Sequence, residues 1–454
     1  MDWTTIPQVA QWAGGHFSGM SSAKIGRVVT DSRKVEPGDL FVALKGERFD
    51  AHDFLAEVAE RGATGALVER GVGVRKEGFP VIEVEDTLKG LQRLASAYRK
   101  TLRARVVGIT GSSGKTSTKD FTFAVVSQMG RGWCTQGNLN NHIGVPLTLL
   151  AGGGMDEMGV VEMGMNHAGE IEPLARMAMP EVGIVTNVGV AHIENLGSRE
   201  AIAVEKGALA RALPETGTVV LSAVDDFTPL ISSMTRARVL TAGIGCGDVQ
   251  AVDLFPGDGC TRFGLVHEGE RVEVELGVPG SHMVLNAALA AAAGLALGGS
   301  LEMAAHGLRD LAITHGRLES KRVGGIRFLD DTYNANPDSM VAALATLAQW
   351  PVQGRRIAVL GRMGELGNFS EEGHRRVGKA AGFYAADWVV TLGEEARWIA
   401  EEARASGVLE VDHCEEVEVI GRLLKEKVTP EDLVLVKGSR SARMERVIQE
   451  VAKL

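Results

Sequence analysis

Short apolar runs closed by glycine or a polar turn recur along the chain, and they alternate with segments whose apolar positions return every three or four residues. The runs "LFVALKG" and "PVIEVED" predict strands, and "LKGLQRLASAYRK" has the spacing of a helix that faces a core. Together they predict a small α/β domain over residues 1–103. At "ARVVGIT" a new strand leads through a Gly/Ser loop into the helical "KTSTKDFTFAVVSQM". Further buried strands are predicted at "MGVVEMGM", "VGIVTNVGV" and "GTVVLSA". Their uninterrupted apolar character is that of a mostly parallel sheet covered on both faces. The Ala-rich "MVLNAALAAAAGLALGG" closes this second region, residues 104–315. From Gly316 the texture resets: "IRFLDD", "RRIAVLG", "DWVVTLG" and "DLVLVKG" alternate with helices such as "EEARWIAEEARAS". This predicts a third, Rossmann-like domain over residues 316–454.

A length of 454 residues agrees with about three domains of roughly 150 residues each. Hydrophobic content of 45% and charged content of 23% exclude disorder and fibrous repeats. A formal net charge of -10 with no long basic run argues against a nucleic-acid partner. A phosphorylated small molecule remains compatible, since it needs only a few donors at one loop. Cys134, Cys246, Cys260 and Cys414 are scattered and form no CxxC pair, which suits a reducing cytoplasm. The segment "MDWTTIPQVAQWAGG" lacks the basic-then-apolar pattern of an export signal. Asn286 and three glycines make the Ala-rich stretch a buried helix rather than a membrane span. A soluble cytoplasmic monomer is expected.

The chemistry concentrates first at Gly111, Ser112, Ser113, Gly114, Lys115, Thr116 and Ser117, a turn between a strand and a helix. Backbone N–H groups of such a turn converge on phosphate oxygens, and the helix N-terminus adds a favourable dipole. Lys115 supplies a point charge and Thr116 a hydroxyl for Mg²⁺. The common GxxxxGK[ST] spacing would need a glycine at position 109, where Ile109 stands, so this loop is shorter than the usual one.

With the loop "TGSSGKT" and the segments "TQGNLNNHIGVPLTLL", "VVEMGMNHAGEI", "TNVGVAHIENLG", "DDTYNANPDSM" and "LVKGSRSARMERV", the chain resembles the Mur ligases. These enzymes join amino acids to the nucleotide-linked peptidoglycan precursor. "TDSRKVEPGDLFVALKGERFDAHDF" extends the likeness into the first domain, and "DDTYNANPDSM" points to the branch that adds a dipeptide. The resemblance implies ATP-dependent ligation of D-alanyl-D-alanine to UDP-N-acetylmuramoyl-tripeptide through an acyl phosphate, with ATP and Mg²⁺. Its rivals are a sister ligase adding one amino acid and a non-catalytic binder of the nucleotide sugar. A GTPase or phosphotransferase would need a full-length loop, and a GTPase an NKxD motif; neither is found.

Residue by residue, Glu162 at a strand end is a buried carboxylate that needs a cation or backbone donors, and the resemblance makes it a Mg²⁺ ligand. His192, beyond the next strand, is a structural hydrogen bonder or, by the resemblance, a ligand of a second Mg²⁺. Lys206 reads by itself as an exposed helix lysine; the resemblance implies a CO₂-derived carbamate that ligates Mg²⁺. The resemblance assigns Lys115, Glu162, His192 and Lys206 to catalysis, and Asn138, Asn286, Arg317 and Asp331 to ATP. It gives Ser32, Arg33, Asn140 and Asn141 to the UDP substrate, and Asn334, Asn336 and Ser339 to the dipeptide. The chain departs from the family pattern at Ala208, where a glutamate is common, at Arg362, where an aspartate is usual, and in "LSAVDD", where an asparagine commonly precedes the paired aspartates.

Overall fold

The computed structural model describes residues 4–18, 21–47, 49–72, 78–309, 311 and 314–454. Arg48 of the first-domain segment lies outside them. The chain is an α/β protein with three sheets. By its contacts it divides into two compact units. One comprises Met1–Gly108, Met129–Gly164 and Gly169–Glu181; the other comprises Ile109–Gln128, Met165–Ala168 and Val182–Leu454.

In the first unit the strands β1 (Val28–Val29), β2 (Leu40–Val42), β3 (Gly65–Glu69) and β4 (Val81–Val84) form a parallel sheet in sequence order. Phe41, Ala43, Leu55, Val58, Ala66 and Val68 make its core. The helix Thr87–Arg99 starts where the Asp86 carboxylate accepts the Lys89 N–H, satisfying an orphan first-turn donor. It ends on Arg99, a buried guanidinium that donates to the carbonyls of Ala178, Leu102 and Ala104.

The central sheet contains β5 (Arg105–Thr110), β6 (Gly132–Cys134), β7 (Met158–Glu162), β8 (Val182–Val185), β9 (Thr218–Ser222), β10 (Arg238–Ile244), β11 (Val249–Pro256), β12 (Thr261–His267) and β13 (Glu270–Leu276). Their order is β13-β12-β11-β10-β9-β8-β5-β7-β6. Strands β5, β7, β8 and β9 are the apolar runs read from sequence. The edge pairs β11–β12 and β12–β13 are antiparallel and were not predicted. Burial alternates along β11 and β13, so no continuous apolar run marks those two, and Gly264 interrupts the buried stretch of β12. The Ala-rich helix, Ser281–Ala296, buries Ala287 through Ala293 completely, and among the described residues no helix is long and apolar enough to cross a membrane.

The last sheet has β14 (Glu319–Val323), β15 (Ile326–Asp331), β16 (Arg356–Gly361), β17 (Trp388–Leu392), β18 (Glu410–Cys414) and β19 (Leu433–Lys437) in the order β14-β15-β19-β16-β17-β18. All neighbours except β14–β15 run parallel. Returning β19 to the middle brings Lys437 beside Asp331 at the carboxyl ends, where open parallel sheets collect functional groups.

Candidate active site

Strand β5 ends at Thr110 and only four residues separate it from the helix Lys115–Val126, so Gly111–Gly114 must turn within a few ångströms of the next strand. A Cβ at Gly111 would lie 1.8 Å from Thr186 Oγ1, and Gly114 holds φ 79° with a Cβ position 2.8 Å from Asn286 Oδ1. Side chains are excluded at both positions, which lets backbone line the loop. The residues after β8 fasten it: Ser112 N donates to the Asn187 carbonyl (3.0 Å), Ser113 N to Asn187 Oδ1 (3.0 Å) and Thr186 Oγ1 to the Ser113 carbonyl (2.6 Å). Gly189 N donates to Ser112 Oγ at 2.9 Å. Lys115 folds back on the loop, its Nζ 2.7 Å from the Gly111 carbonyl. Thr116 and Ser117 are buried in the first helical turn.

Residues from Gly316 onward reach the same loop. Arg317 Nη2 donates to Thr116 Oγ1 at 2.8 Å, its guanidinium lies 4.4 Å over the Tyr333 ring, and its buried Nε has no hydrogen-bond partner. Asn336 caps the helix Pro337–Gln349 in a reciprocal box with Ser339, and its Nδ2 donates to Ser113 Oγ at 2.9 Å. Asp338 accepts the Val190 N–H (3.2 Å) and pairs with Arg376 (2.8 Å). Glu365 Oε2 sits 2.7 Å from His192 Nδ1, and both residues hold left-handed backbone. That contact, with Lys115 nearby, holds the Glu365 carboxyl below its usual range.

Lys206 is 1% exposed, so the exposed-lysine reading fails. Burial, and secondarily the neighbouring Lys115 cation, pushes its ammonium well below the usual lysine range. Glu162 is buried at the end of β7; Asn140 Nδ2 donates to its Oε1 at 2.8 Å, and its Oε2 has no hydrogen-bond partner. At His192 the buried Nδ1 faces the Glu365 carboxylate. A buried carboxylate oxygen without a partner calls for an explanation, and a bound cation is one.

Other candidates have different surroundings. Ser32 and Arg33 sit in a single 3-10 turn, with Arg33 exposed and paired to Asp31 at 2.8 Å. Asn138 is exposed; Asn141 Oδ1 accepts the N–H groups of Ile143 and Gly144 at the start of the helix Gly144–Ala151. Asp331 is buried in an ion pair with Lys437 at 2.6 Å. Asn334 Oδ1 accepts the N–H groups of Ala335 and Arg440. Among the departures, Arg362 pairs with Glu395 (3.2 Å) and donates to Ser441 Oγ, while Ala208 is buried and nothing in the structure explains it. In "LSAVDD" nothing in the structure explains the missing asparagine, but Asp225 accepts the Val188 N–H at 2.7 Å and so braces the loop that carries His192.

Sequence reasoning missed Thr186, Asn187, Asp225, Asp338, Glu365 and Lys437. Asn187 and Asp225 each follow a buried strand whose end is a site position in a parallel sheet, and that signal was available. Glu365 and Asp338 lie far along the chain from the loops they touch and carry no local signal.

Three family models match the chain: "Mur ligase family, catalytic domain" over residues 24–99, "Mur ligase middle domain" over 109–294, and "Mur ligase, glutamate ligase domain" over 316–440. The chain is 37% identical over 452 residues to the UDP-N-acetylmuramoyl-tripeptide–D-alanyl-D-alanine ligase of Bacillus subtilis, covering 98% of each. It is 38% identical over 451 residues to that of Escherichia coli, covering 98% of this chain and 97% of the other. Among solved structures it is similar to MurF from Acinetobacter baumannii (TM-score 0.90, 34% identity, 99% of both chains). It is also similar to MurF ligase from Thermotoga maritima in complex with ADP (TM-score 0.84, 31% identity, 96% of this chain and 99% of that one).

Proposed function

The chain belongs to the Mur ligase family, and from that membership we propose that it is the ATP-dependent ligase that adds D-alanyl-D-alanine to UDP-N-acetylmuramoyl-tripeptide in peptidoglycan synthesis. The observation that carries the chemistry is the phosphate loop gripped from two sides, by its own helix and by Arg317 from beyond the linker. We place the enzyme in the cytoplasm as a monomer, with residues 1–103 for the UDP substrate, 104–315 for ATP and 316–454 for the dipeptide.

The tripeptide carboxylate attacks the γ-phosphorus of ATP, forming an acyl phosphate and releasing ADP. The dipeptide amine then attacks the acyl carbon, forming the amide and expelling phosphate. The first step brings two anions together, so cations and orientation matter more than a strong base. Backbone donors of Gly111–Thr116 bind phosphate oxygens, Lys115 leaves the Gly111 carbonyl to neutralise them, and Arg317 meets them from the other side. Thr116, Glu162, His192 and a carbamoylated Lys206 would hold Mg²⁺, which neutralises phosphate charge when bound. The unpartnered Glu162 Oε2 fits that role. Among the described residues no three His, Cys, Asp or Glu cluster together. Burial favours the neutral Lys206 amine, the form that adds to CO₂.

Asn138 and Asn286 are assigned to the nucleotide with Asp331, and Ser32, Arg33, Asn140 and Asn141 to the UDP substrate. Asn334, Asn336 and Ser339 are assigned to the dipeptide side, with Asn336 turning from its Ser113 contact as substrate enters. The test is phosphate release from ATP with UDP-N-acetylmuramoyl-tripeptide and either D-alanyl-D-alanine or single amino acids. Turnover is expected with the dipeptide; turnover only with a single amino acid would assign the sister activity. No turnover with any acceptor would make the chain a binder.

A further inference from the structure

The stretch that leads into Arg317 is bonded to the phosphate-loop helix at two points. Thr314 donates to Asp120 Oδ2 from both its backbone N (3.2 Å) and its Oγ1 (2.7 Å). Three residues on, Arg317 Nη2 donates to Thr116 Oγ1. Positions 116 and 120 are four apart on the helix Lys115–Val126, so they share one face a turn apart, and residues 314–317 run back along that face toward the phosphate loop.

Asp120 is a fixed post for this anchor. Lys119 Nζ lies 2.7 Å from its Oδ1, the two side chains are 5% and 11% exposed, and Oδ2 is taken up by Thr314. It stands one turn beyond the helix N-terminus that binds phosphate and has no part in the chemistry described above. Arg317 is oriented on its far side by the Tyr333 ring, and Tyr333 N donates to the Gly316 carbonyl at 3.1 Å. The guanidinium therefore reaches Thr116 from a linker pinned at Thr314 and at Gly316.

We propose that Asp120 is a positioning residue of the ligase: by anchoring Thr314 it fixes the register of the linker and delivers Arg317 to the nucleotide phosphates at Thr116. This rests on the assignment of Arg317 to ATP above. Without the anchor the linker gains freedom that must be lost again when Arg317 meets phosphate, and the cost appears as weaker nucleotide binding.

Replacing Asp120 itself would also remove the ion pair of the buried Lys119 and risk the fold, so the test uses Thr314. Binding of ATP with Mg²⁺ to the full chain is measured by calorimetry for the wild type, Thr314→Val, Thr314→Ser, Arg317→Ala and the Thr314→Val/Arg317→Ala double variant, with melting temperatures alongside. Thr314→Val should weaken ATP binding roughly tenfold, the scale of a hydrogen bond to a charged group. Thr314→Ser, which keeps the hydroxyl, should restore it. In the Arg317→Ala background Thr314→Val should add less than about twofold, because both changes remove one interaction. An equal loss in both backgrounds, or wild-type affinity in Thr314→Val, would overturn the proposal. A wild type that binds no ATP would instead overturn the ligase reading, and this proposal with it.

Discussion

At the residue scale the informative positions are those whose burial contradicts their chemistry. Lys206 sits in a helix whose sequence offers no reason to hide an amine, yet it is fully buried. Lys206→Ala should abolish ligation while leaving UDP-substrate binding nearly intact by calorimetry; full activity would remove the carbamate from the mechanism. Gly114 is constrained twice, by a left-handed φ and by Asn286 against the place a Cβ would take. Gly114→Ala should cost about 1–2 kcal/mol from backbone strain alone. It should also weaken ATP binding more than it lowers the melting temperature, since the displaced atoms are the backbone donors proposed for phosphate; unchanged nucleotide affinity would count against the loop. Gly114 and Lys115 were legible in the sequence because local geometry defines them. The depth of Lys206 was not, because it depends on neighbours such as Met234 packed against the adjacent Gly207.

At the element scale, the ends of strands and helices carry the loads. Lys437 at the end of β19 and Asp331 at the end of β15 neutralise each other in a dry setting. Lys437→Met should destabilise by about 3–5 kcal/mol, read from the urea midpoint, because it leaves a buried carboxylate unpaired. Adding Asp331→Asn should recover much of that loss. Asn336 caps the helix Pro337–Gln349 and also reaches Ser113. Asn336→Ala should lower stability by about 1 kcal/mol in the same assay; a loss of activity without that fall would favour a purely substrate-binding role. The motif "NANPDSM" announced a helix start in the sequence, with Pro at the first turn and Asn before it. That its cap also touches the phosphate loop depends on a partner 223 positions away.

At the scale of the whole molecule, two histidines packed into the fold, half-buried His282 and buried His374, set an acid limit. Burial takes His282 from the ordinary 6.5 down to about 4 and lowers His374, whose Nε2 accepts the Met363 N–H. Each folded-state value lies below the unfolded one, so the unfolded chain takes up its proton first as pH falls. For His282 the stability it contributes is intact above pH 6.5 and is lost progressively between 6.5 and about 4. The urea midpoint should therefore drop across that window, and His282→Gln should flatten the dependence; an unchanged slope would show that carboxylates dominate.

The sequence by itself determined the strands β5, β7, β8, β9, β15, β16, β17 and β19, the phosphate loop and the Ala-rich helix. Each of these is written in neighbouring residues as an apolar run, a glycine pair or a helical period. Motif resemblance, also a local property, carried the family and the reaction. Tertiary structure alone decided that Arg317 meets Thr116, that Glu365 faces His192, that Asp338 holds Val190 and that Thr314 is tied to Asp120. These pairs join positions more than a hundred residues apart. Which distant groups meet is set by strand order and packing rather than by any spacing along the chain.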